Sequence, residues 1–332
     1  MVVPPPDRVP GFPCGQTGLW FGSRTVLTAL PLTVLRPLYG TDRAADATEI
    51  DWLPPDYPVE DVELCHHWHD GDDIVLSLAR QGADYWLRAP GIAVFLLQMQ
   101  PSRIRVLPET DIDASTLEHV LVDQVLPRLL AQQGELMVHA SALAIEGRHA
   151  LFAGPSGWGK STLAGLMHRQ GHLVLSDDCM QLVAGGERLH ALPTYSSLRL
   201  YDDSLQALFP GVQGTGPVAS YSDKRRMPMG LPPDAEATFP VDALYVLGDP
   251  DEADGTIRMT PLRPAEACQA LLRHSFRLDL GDRTANARQF ALCGAAARTL
   301  PAFRLQYPRD FARSDELVQR IVDHLASLPP QD

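Results

Sequence analysis

The stretch that most constrains this chain is Gly154-Pro155-Ser156-Gly157-Trp158-Gly159-Lys160-Ser161-Thr162. An apolar run at 150–153 leads into it, and a helix-forming run leads out of it as far as Gly171. The glycines let the backbone fold so that several N–H groups converge on phosphate oxygens. Lys160 adds a cation, and the Ser161 hydroxyl suits a phosphate-bound Mg²⁺. The helix that opens at the loop favours an anion at its N-terminus. Strand, loop and helix in this order predict a nucleotide phosphate site.

The residues just after the loop narrow the chemistry. The helix of about ten residues is ~15 Å long, and the buried strand predicted at 172–176 is also about 15 Å. A helix and a strand of matching length bring the chain back, parallel to the first strand, to the edge that carries the loop. There it reaches Asp177-Asp178, where a metal ligand and a base are needed. Upstream, residues 135–145 read as a strand, and Glu146-Gly147 as a turn before the strand that starts near Arg148. Pairing Ile145 with Arg148 puts His139 opposite Gly154, and a one-residue change of turn puts it opposite Pro155. Either register sets an imidazole at the mouth of the loop.

These residues carry a family resemblance. The run His139-Ala140-Ser141, the loop Gly154–Thr162 and the strand ending in Asp177-Asp178 together resemble the HPr kinase/phosphorylase family. In that family a histidine, a glycine-rich loop with lysine and serine, and paired aspartates at the end of the next strand form the kinase site. Three later segments resemble a divergent branch of HPr-kinase-like proteins: Pro193–Tyr201, Ser222–Arg226 and Leu305–Asp310. That branch includes kinases of lasso-peptide precursors. The strong motifs cover 136–178, the weaker likeness reaches about 326, and residues 1–115 show none of it. Ser161-Thr162 stands where HPr kinase has Ser-Glu, and the segment tied to phosphorylase activity has no counterpart.

The resemblance implies the α/β phosphate-loop fold, with a mixed sheet, shared by HPr kinase and phosphoenolpyruvate carboxykinase. It implies an ATP- and Mg²⁺-dependent kinase acting on a serine-type hydroxyl of a peptide or protein, including the C-terminal residue of a lasso-type ribosomal precursor. Gly154–Thr162 would then hold the phosphates, with Lys160 neutralising the transferred group and Ser161 on Mg²⁺. Asp177 would accept or orient the hydroxyl proton, Asp178 would bind metal, and His139 would hydrogen-bond the aspartate or the phosphate. Two alternatives stand beside this: a kinase of free serine or a metabolite alcohol, and a regulator that senses ATP without transferring phosphate.

Composition excludes other classes. The net charge of −13 over 332 residues gives no basic face for nucleic acid or an anionic membrane. Five scattered cysteines, odd in number and without a CxxC pair, suit a reduced, cytoplasmic protein. Met1-Val2-Val3-Pro4-Pro5-Pro6 does not read as a signal peptide, and the longest apolar run, 92–97, is too short to span a bilayer. Cys65-His66-His67-Trp68-His69-Asp70 holds ligand-type side chains but has no second ligand pair, so it reads as a polar strand end or loop.

The pattern predicts two domains. Residues 1–113 form a smaller, mostly β domain with one or two helices, for substrate docking or for assembly into a homo-oligomer. Residues 114–332 form the ATP-binding domain, opened by a helix over 115–133 with Ser115 as N-cap, Glu118 completing a capping box, and a kink at Pro127. Within it, 180–184 with 188–192 and 241–247 with 256–260 read as hairpins. Helices are expected at 202–209, 264–273, 284–299 and 314–328, and a strand at 302–306. The segment 210–240 reads either as disorder or as a mobile active-site loop, and carries Lys224-Arg225-Arg226, a candidate anion-binding cluster with Arg225 at its centre and Arg199 as a weaker candidate.

Overall fold

The computed structural model describes residues 17–38, 47–54, 56–57, 62–109, 112–186, 188–195, 197–212, 215–229 and 238–329. The proline-rich start, most of the polar break near 40–48 and the proline-rich run before Phe239 lie outside the described residues. The chain divides into two units: Met1–Gln133 with Ala219–Tyr221 and Arg277–Asn286, and the remainder from Gly134.

In the first unit, nine strands make one sheet: β1 (Thr17–Phe21), β2 (Arg24–Thr28), β3 (Arg36–Pro37), β4 (Thr48–Trp52), β5 (Glu63–Asp70), β6 (Asp73–Gln81), β7 (Asp84–Ala89), β8 (Ala93–Gln98) and β9 (Arg103–Pro108). Their order is β3-β1-β2-β4-β9-β8-β7-β6-β5. Residues 92–99, ambiguous by pattern, settle as a strand because β8 is paired on both sides, with β7 and with β9. The His-rich run forms β5, the mostly exposed edge strand, with its Cys65 thiol free.

The helix expected to open the second domain belongs to the first unit. It runs as α1 (Ala114–Val120), a π-helical turn (Leu121–Val125) and α2 (Leu126–Gln133). Side-chain bonds explain the assignment. Glu118 accepts from the Val34 N–H at 2.9 Å and the Thr33 hydroxyl at 3.1 Å, and Gln133 donates to Met99 O at 3.1 Å. Glu118 is therefore spent on a distant loop instead of a capping box. The N-cap is Asp113, which accepts from the Thr116 N–H at 2.9 Å, and the Ser115 hydroxyl bonds Asp113. The π turn directly precedes Pro127, whose ring removes a backbone donor, so the helix widens there to re-route its bonds.

The second unit is an α/β domain built on mixed sheets. Its strands and helices are β10 (Leu136–Val138), β11 (Ala140–Ile145), β12 (Arg148–Ala153), α3 (Lys160–Arg169), β13 (Leu173–Ser176), β14 (Met180–Gly185), β15 (Arg188–Pro193), β16 (Ser197–Tyr201), α4 (Asp202–Leu208), β17 (Thr215–Pro217), β18 (Lys224–Pro228), β19 (Phe239–Pro240), β20 (Ala243–Leu247), β21 (Arg258–Pro261), α5 (Pro264–His274), α6 (Arg283–Thr299), β22 (Ala302–Gln306) and α7 (Ser314–Ser327). α6 starts within the segment that clusters with the first unit. The main sheet has the order β13-β11-β12-β20-β22-β21, beside a four-stranded sheet β10-β14-β15-β19 and a three-stranded sheet β16-β18-β17.

The apolar run of β12 follows from burial on both faces. Ala150 and Phe152 face one core with α3 and α7, while Leu151 and Ala153 face another with α5 and α6. Phe152, Tyr245 and Phe303 stack across three neighbouring strands, with centroids 5.2 and 5.8 Å apart. A buried ring of this kind contributes roughly 2–3 kcal/mol of transfer free energy.

Two expectations for this unit change. Residues 241–247 and 256–260 do not form a hairpin, because β22 lies between β20 and β21, parallel to the first and antiparallel to the second. The strand expected over 135–145 breaks at His139 into β10 and β11, since the His139 N–H donates to His274 O at 2.6 Å, outside either ladder.

Candidate active site

The main sheet fixes the geometry of one edge. β11 runs antiparallel to both β12 and β13, with Ala140 opposite Ala153 and Ala142 opposite Ser176. The start of β11 and the ends of β12 and β13 therefore share an edge. His139 precedes β11, the loop 154–159 comes after β12, and Asp177-Asp178 comes after β13. The strand ending in the aspartates runs in the same direction as β12, with β11 inserted between them.

The glycine-rich loop is shaped by its backbone. Gly157 and Gly159 sit at φ 77° and 95°, in the left-handed region that side chains avoid, and Gly159 caps α3. A Cβ on Gly154 would lie 3.1 Å from the Leu247 side chain, and one on Gly159 would lie 3.2 Å from Tyr307 Oη. Arg309 donates to Gly157 O at 2.6 Å, so the segment after β22 braces the loop from outside. Lys160 reaches back along the loop, donating to Gly154 O at 2.9 Å and Pro155 O at 3.2 Å. Burial lowers its pKa, and the charges of Asp178 and Asp177 oppose that shift. Ser161 and Thr162 stand in the first turn of α3, where Thr162 Oγ1 lies 3.3 Å from Ser204 Oγ.

The aspartate turn is held rigidly. Ser176 Oγ lies 2.8 Å from Cys179 O and 3.0 Å from Tyr195 O, and Thr194 Oγ1 donates to Cys179 O at 2.8 Å. Within it Asp178 takes φ 71°, an uncommon conformation that Asp tolerates better than bulkier residues. The two carboxylates have different surroundings. Asp177 is 0% exposed; it accepts from Ser141 Oγ at 2.6 Å and from the Arg199 N–H at 3.3 Å. Asp178 keeps 14% of its side-chain surface and accepts from His139 Nε2 at 3.1 Å, with Arg199 Nη1 at 3.6 Å from its other oxygen.

Electrostatics separates the pair further. Burial raises the pKa of Asp177, and the neighbouring Asp178 charge adds to that rise. Burial acts on Asp178 in the same sense, but the His139 hydrogen bond and the charges of His139, Lys224 and Arg199 hold it well below the usual 3.8. Close by, burial lowers His274 to about 4, with His139 and Lys160 adding to the shift, so its imidazole is neutral near pH 7.

The residues expected at the site, from Gly154 to Thr162 with His139, Asp177 and Asp178, thus gather at one sheet edge. Arg225 does not join them: its Nε donates to Asp202 at 3.1 Å, because its position in β18 opposite Leu200 turns it away from Arg199. Lys224, from the same cluster, carries a charge that acts on both aspartates. Sequence reasoning also passed over Ser141, although strand alternation puts it on the same side as His139. Tyr307 and Arg309, which touch the loop, lie within Leu305–Asp310, a segment that carried a resemblance but no assigned role.

The donor set fits a magnesium nucleotide. The loop offers glycine N–H groups, a helix N-terminus and Lys160 to phosphate, and Ser161 with the ionised Asp178 to a cation. Among the described residues no group of three or more His, Cys, Asp or Glu converges as a ready-made metal cage. Mg²⁺ is commonly held by one or two carboxylates together with substrate phosphates, so the set suits it. No helix among the described residues is long and apolar enough to cross a membrane.

No protein-family model and no curated protein matches the chain. Among solved structures, the chain is similar to the Hpr(Ser) kinase/phosphatase from Coxiella burnetii. The match has 12% sequence identity and a TM-score of 0.30, over 57% of this chain and 99% of that one. The similarity is a weak, distant resemblance to the HPr kinase/phosphatase fold.

Proposed function

We propose that this protein is an ATP- and Mg²⁺-dependent kinase that phosphorylates a serine-type hydroxyl of a peptide or protein, the C-terminal residue of a lasso-type precursor being one candidate acceptor. One observation supports this above the rest: an ionised carboxylate, a histidine bonded to it and a buried lysine share the sheet edge that carries the glycine-rich loop.

In this reading Gly154–Thr162 and Lys160 hold the phosphates, and Ser161 and Asp178 hold Mg²⁺. The metal would supply charge neutralisation on the phosphate oxygens. The acceptor oxygen attacks the terminal phosphorus, the bond to the ADP oxygen breaks, and the hydroxyl proton leaves toward Asp178. We assign contact with the acceptor to Asp178 instead of Asp177 on grounds of reach. Asp177 has no exposed surface, and both its oxygens are engaged by Ser141 and Arg199. A carboxylate of low basicity is adequate here, because a loose phosphoryl-transfer transition state asks for orientation more than for proton abstraction. His139 fixes the Asp178 carboxylate, and Asp177 positions the turn.

Two measurements test the reading. Calorimetric titration with Mg·ATP should show binding by the wild type that Lys160→Ala weakens. Mass spectrometry after incubation with ATP should find one phosphate added to serine-ended peptides and none on free serine. Phosphate on free serine alone would favour the small-molecule kinase, and binding without any transfer would favour an ATP sensor.

A further inference from the structure

The three-stranded sheet β16-β18-β17 carries charge that the phosphate chemistry does not use. Its register pairs Arg199 with Arg226, Leu200 with Arg225 and Tyr201 with Lys224. Directly opposed residues in an antiparallel pair share a face, and successive residues alternate. Arg199, Arg226 and Lys224 therefore stand on one face, while Leu200 and Arg225 stand on the other. The cationic face is the one that meets the aspartate turn, since Arg199 Nη1 lies 3.6 Å from Asp178 and the Arg199 N–H donates to Asp177.

Charge does not balance around that turn. Lys160, Arg199 and Lys224 bring three cations to the two carboxylates of Asp177 and Asp178. An excess of cations in a chain of net charge −13 is not a consequence of composition. Lys224 is the reachable member: it is half-buried, and its ammonium lies 5.4 Å from the centroid of the exposed Tyr201 ring. It makes no ion pair among the described residues, while its charge is felt by Asp177, Asp178 and Lys160. The loop and Lys160 serve the phosphates from β12 and α3, whereas Lys224 approaches the aspartates from β18, on a separate sheet.

We propose that Lys224, with Arg226 on the same face, binds an oxyanion carried by the acceptor close to its hydroxyl. A terminal carboxylate and a phosphate both supply that chemistry. The proposal rests on the kinase reading above, and makes acceptor charge a determinant of specificity. An ammonium suits either oxyanion as a point charge, and Tyr201 walls the position with an apolar ring.

The test compares wild type, Lys224→Met and Lys224→Arg on three peptides. One ends in serine with a free carboxylate, one is its C-terminal amide, and one is the amide with phosphoserine beside the acceptor serine. The wild type should show a lower KM for at least one oxyanion-bearing peptide than for the plain amide. Which peptide gains identifies the source of the anion. Lys224→Met should raise that KM by about ten- to a hundred-fold, the loss of one charge-assisted contact, and change the KM for the amide and the affinity for Mg·ATP far less. Lys224→Arg should recover most of the loss. Equal KM for all three peptides in the wild type, or an equal loss of Mg·ATP affinity in Lys224→Met, would overturn the proposal. If the wild type transfers no phosphate at all, calorimetry with the same peptides still decides. Preferential binding of an oxyanion peptide that Lys224→Met abolishes keeps the subsite and removes the kinase. Indifferent binding removes the subsite.

Discussion

Replacing each aspartate of the pair by its isosteric amide should have unequal consequences for stability. Asp178→Asn removes the charge from a carboxylate that His139 Nε2 approaches at 3.1 Å and Arg199 Nη1 at 3.6 Å, with Arg199 only 2% exposed. A hydrogen bond to a charged group contributes about 1.5–3 kcal/mol, and depriving a buried cation of its counter-ion costs more. Asp178 retains some solvent, so a net loss of about 2–3 kcal/mol is expected at neutral pH. For a domain of this size that lowers Tm by about 5–10 °C. Asp177→Asn deletes a charge that burial disfavours. Its oxygen still accepts from Ser141, while its amide faces the Arg199 N–H at a cost of about 1 kcal/mol, so the net change lies within about 1 kcal/mol of zero.

The pH dependence is set by the direction of each shift. Asp178 is depressed, so its contribution is present above the ordinary value of 3.8 and is lost as pH falls through its lower folded value. The deficit of Asp178→Asn is therefore constant near neutrality and closes in acid. Asp177 is raised, so the wild type loses stability as pH climbs from 3.8 through the folded value, and Asp177→Asn gains on it over that window. Thermal unfolding followed by circular dichroism at several pH values reads both effects. An Asp178→Asn protein as stable as wild type at pH 7, beside a collapsed Asp177→Asn, would refute the division drawn between the two carboxylates.

Two further outcomes concern the loop. Gly159→Ala forces a Cβ onto φ 95° and to 3.2 Å from Tyr307 Oη, so it should lose about 1–2 kcal/mol of stability and weaken Mg·ATP in calorimetry. Tyr307→Phe in the same chain should relieve the contact and leave the backbone strain. Arg309→Ala removes the 2.6 Å bond to Gly157 O from an exposed position. It should raise the Mg·ATP dissociation constant by only about two- to five-fold, matching a contribution of roughly 0.5–1 kcal/mol.

Local pattern made much of this legible. β12, the loop, α3 and β13 are consecutive, and the Ile145–Arg148 pairing that places His139 needs only a two-residue turn. What sequence reasoning missed depends on partners far along the chain. Glu118 looked like half of a capping box, and its real partners are Thr33 and Val34. β20 and β21 looked like a hairpin because nothing local announces that β22, some forty residues further on, inserts between them. The different placements of Arg225 and Lys224 were hidden for a similar reason. Three adjacent basic residues look equivalent until pairing with β16 assigns alternate members to opposite faces. Likewise Asp177 and Asp178 differ only once Ser141 and His139, from one segment, and Arg199, from another, have been brought to them.

The most direct test of the account is single-turnover transfer from terminally labelled ATP to a serine-ended peptide, with Mg·ATP affinity measured alongside. Wild type should transfer label. Asp177→Asn should slow transfer by about ten-fold, and Asp178→Asn by about a thousand-fold or more, well beyond its loss of Mg·ATP affinity. Transfer by Asp178→Asn at the wild-type rate, or a wild type that binds Mg·ATP and labels no hydroxyl, would contradict it.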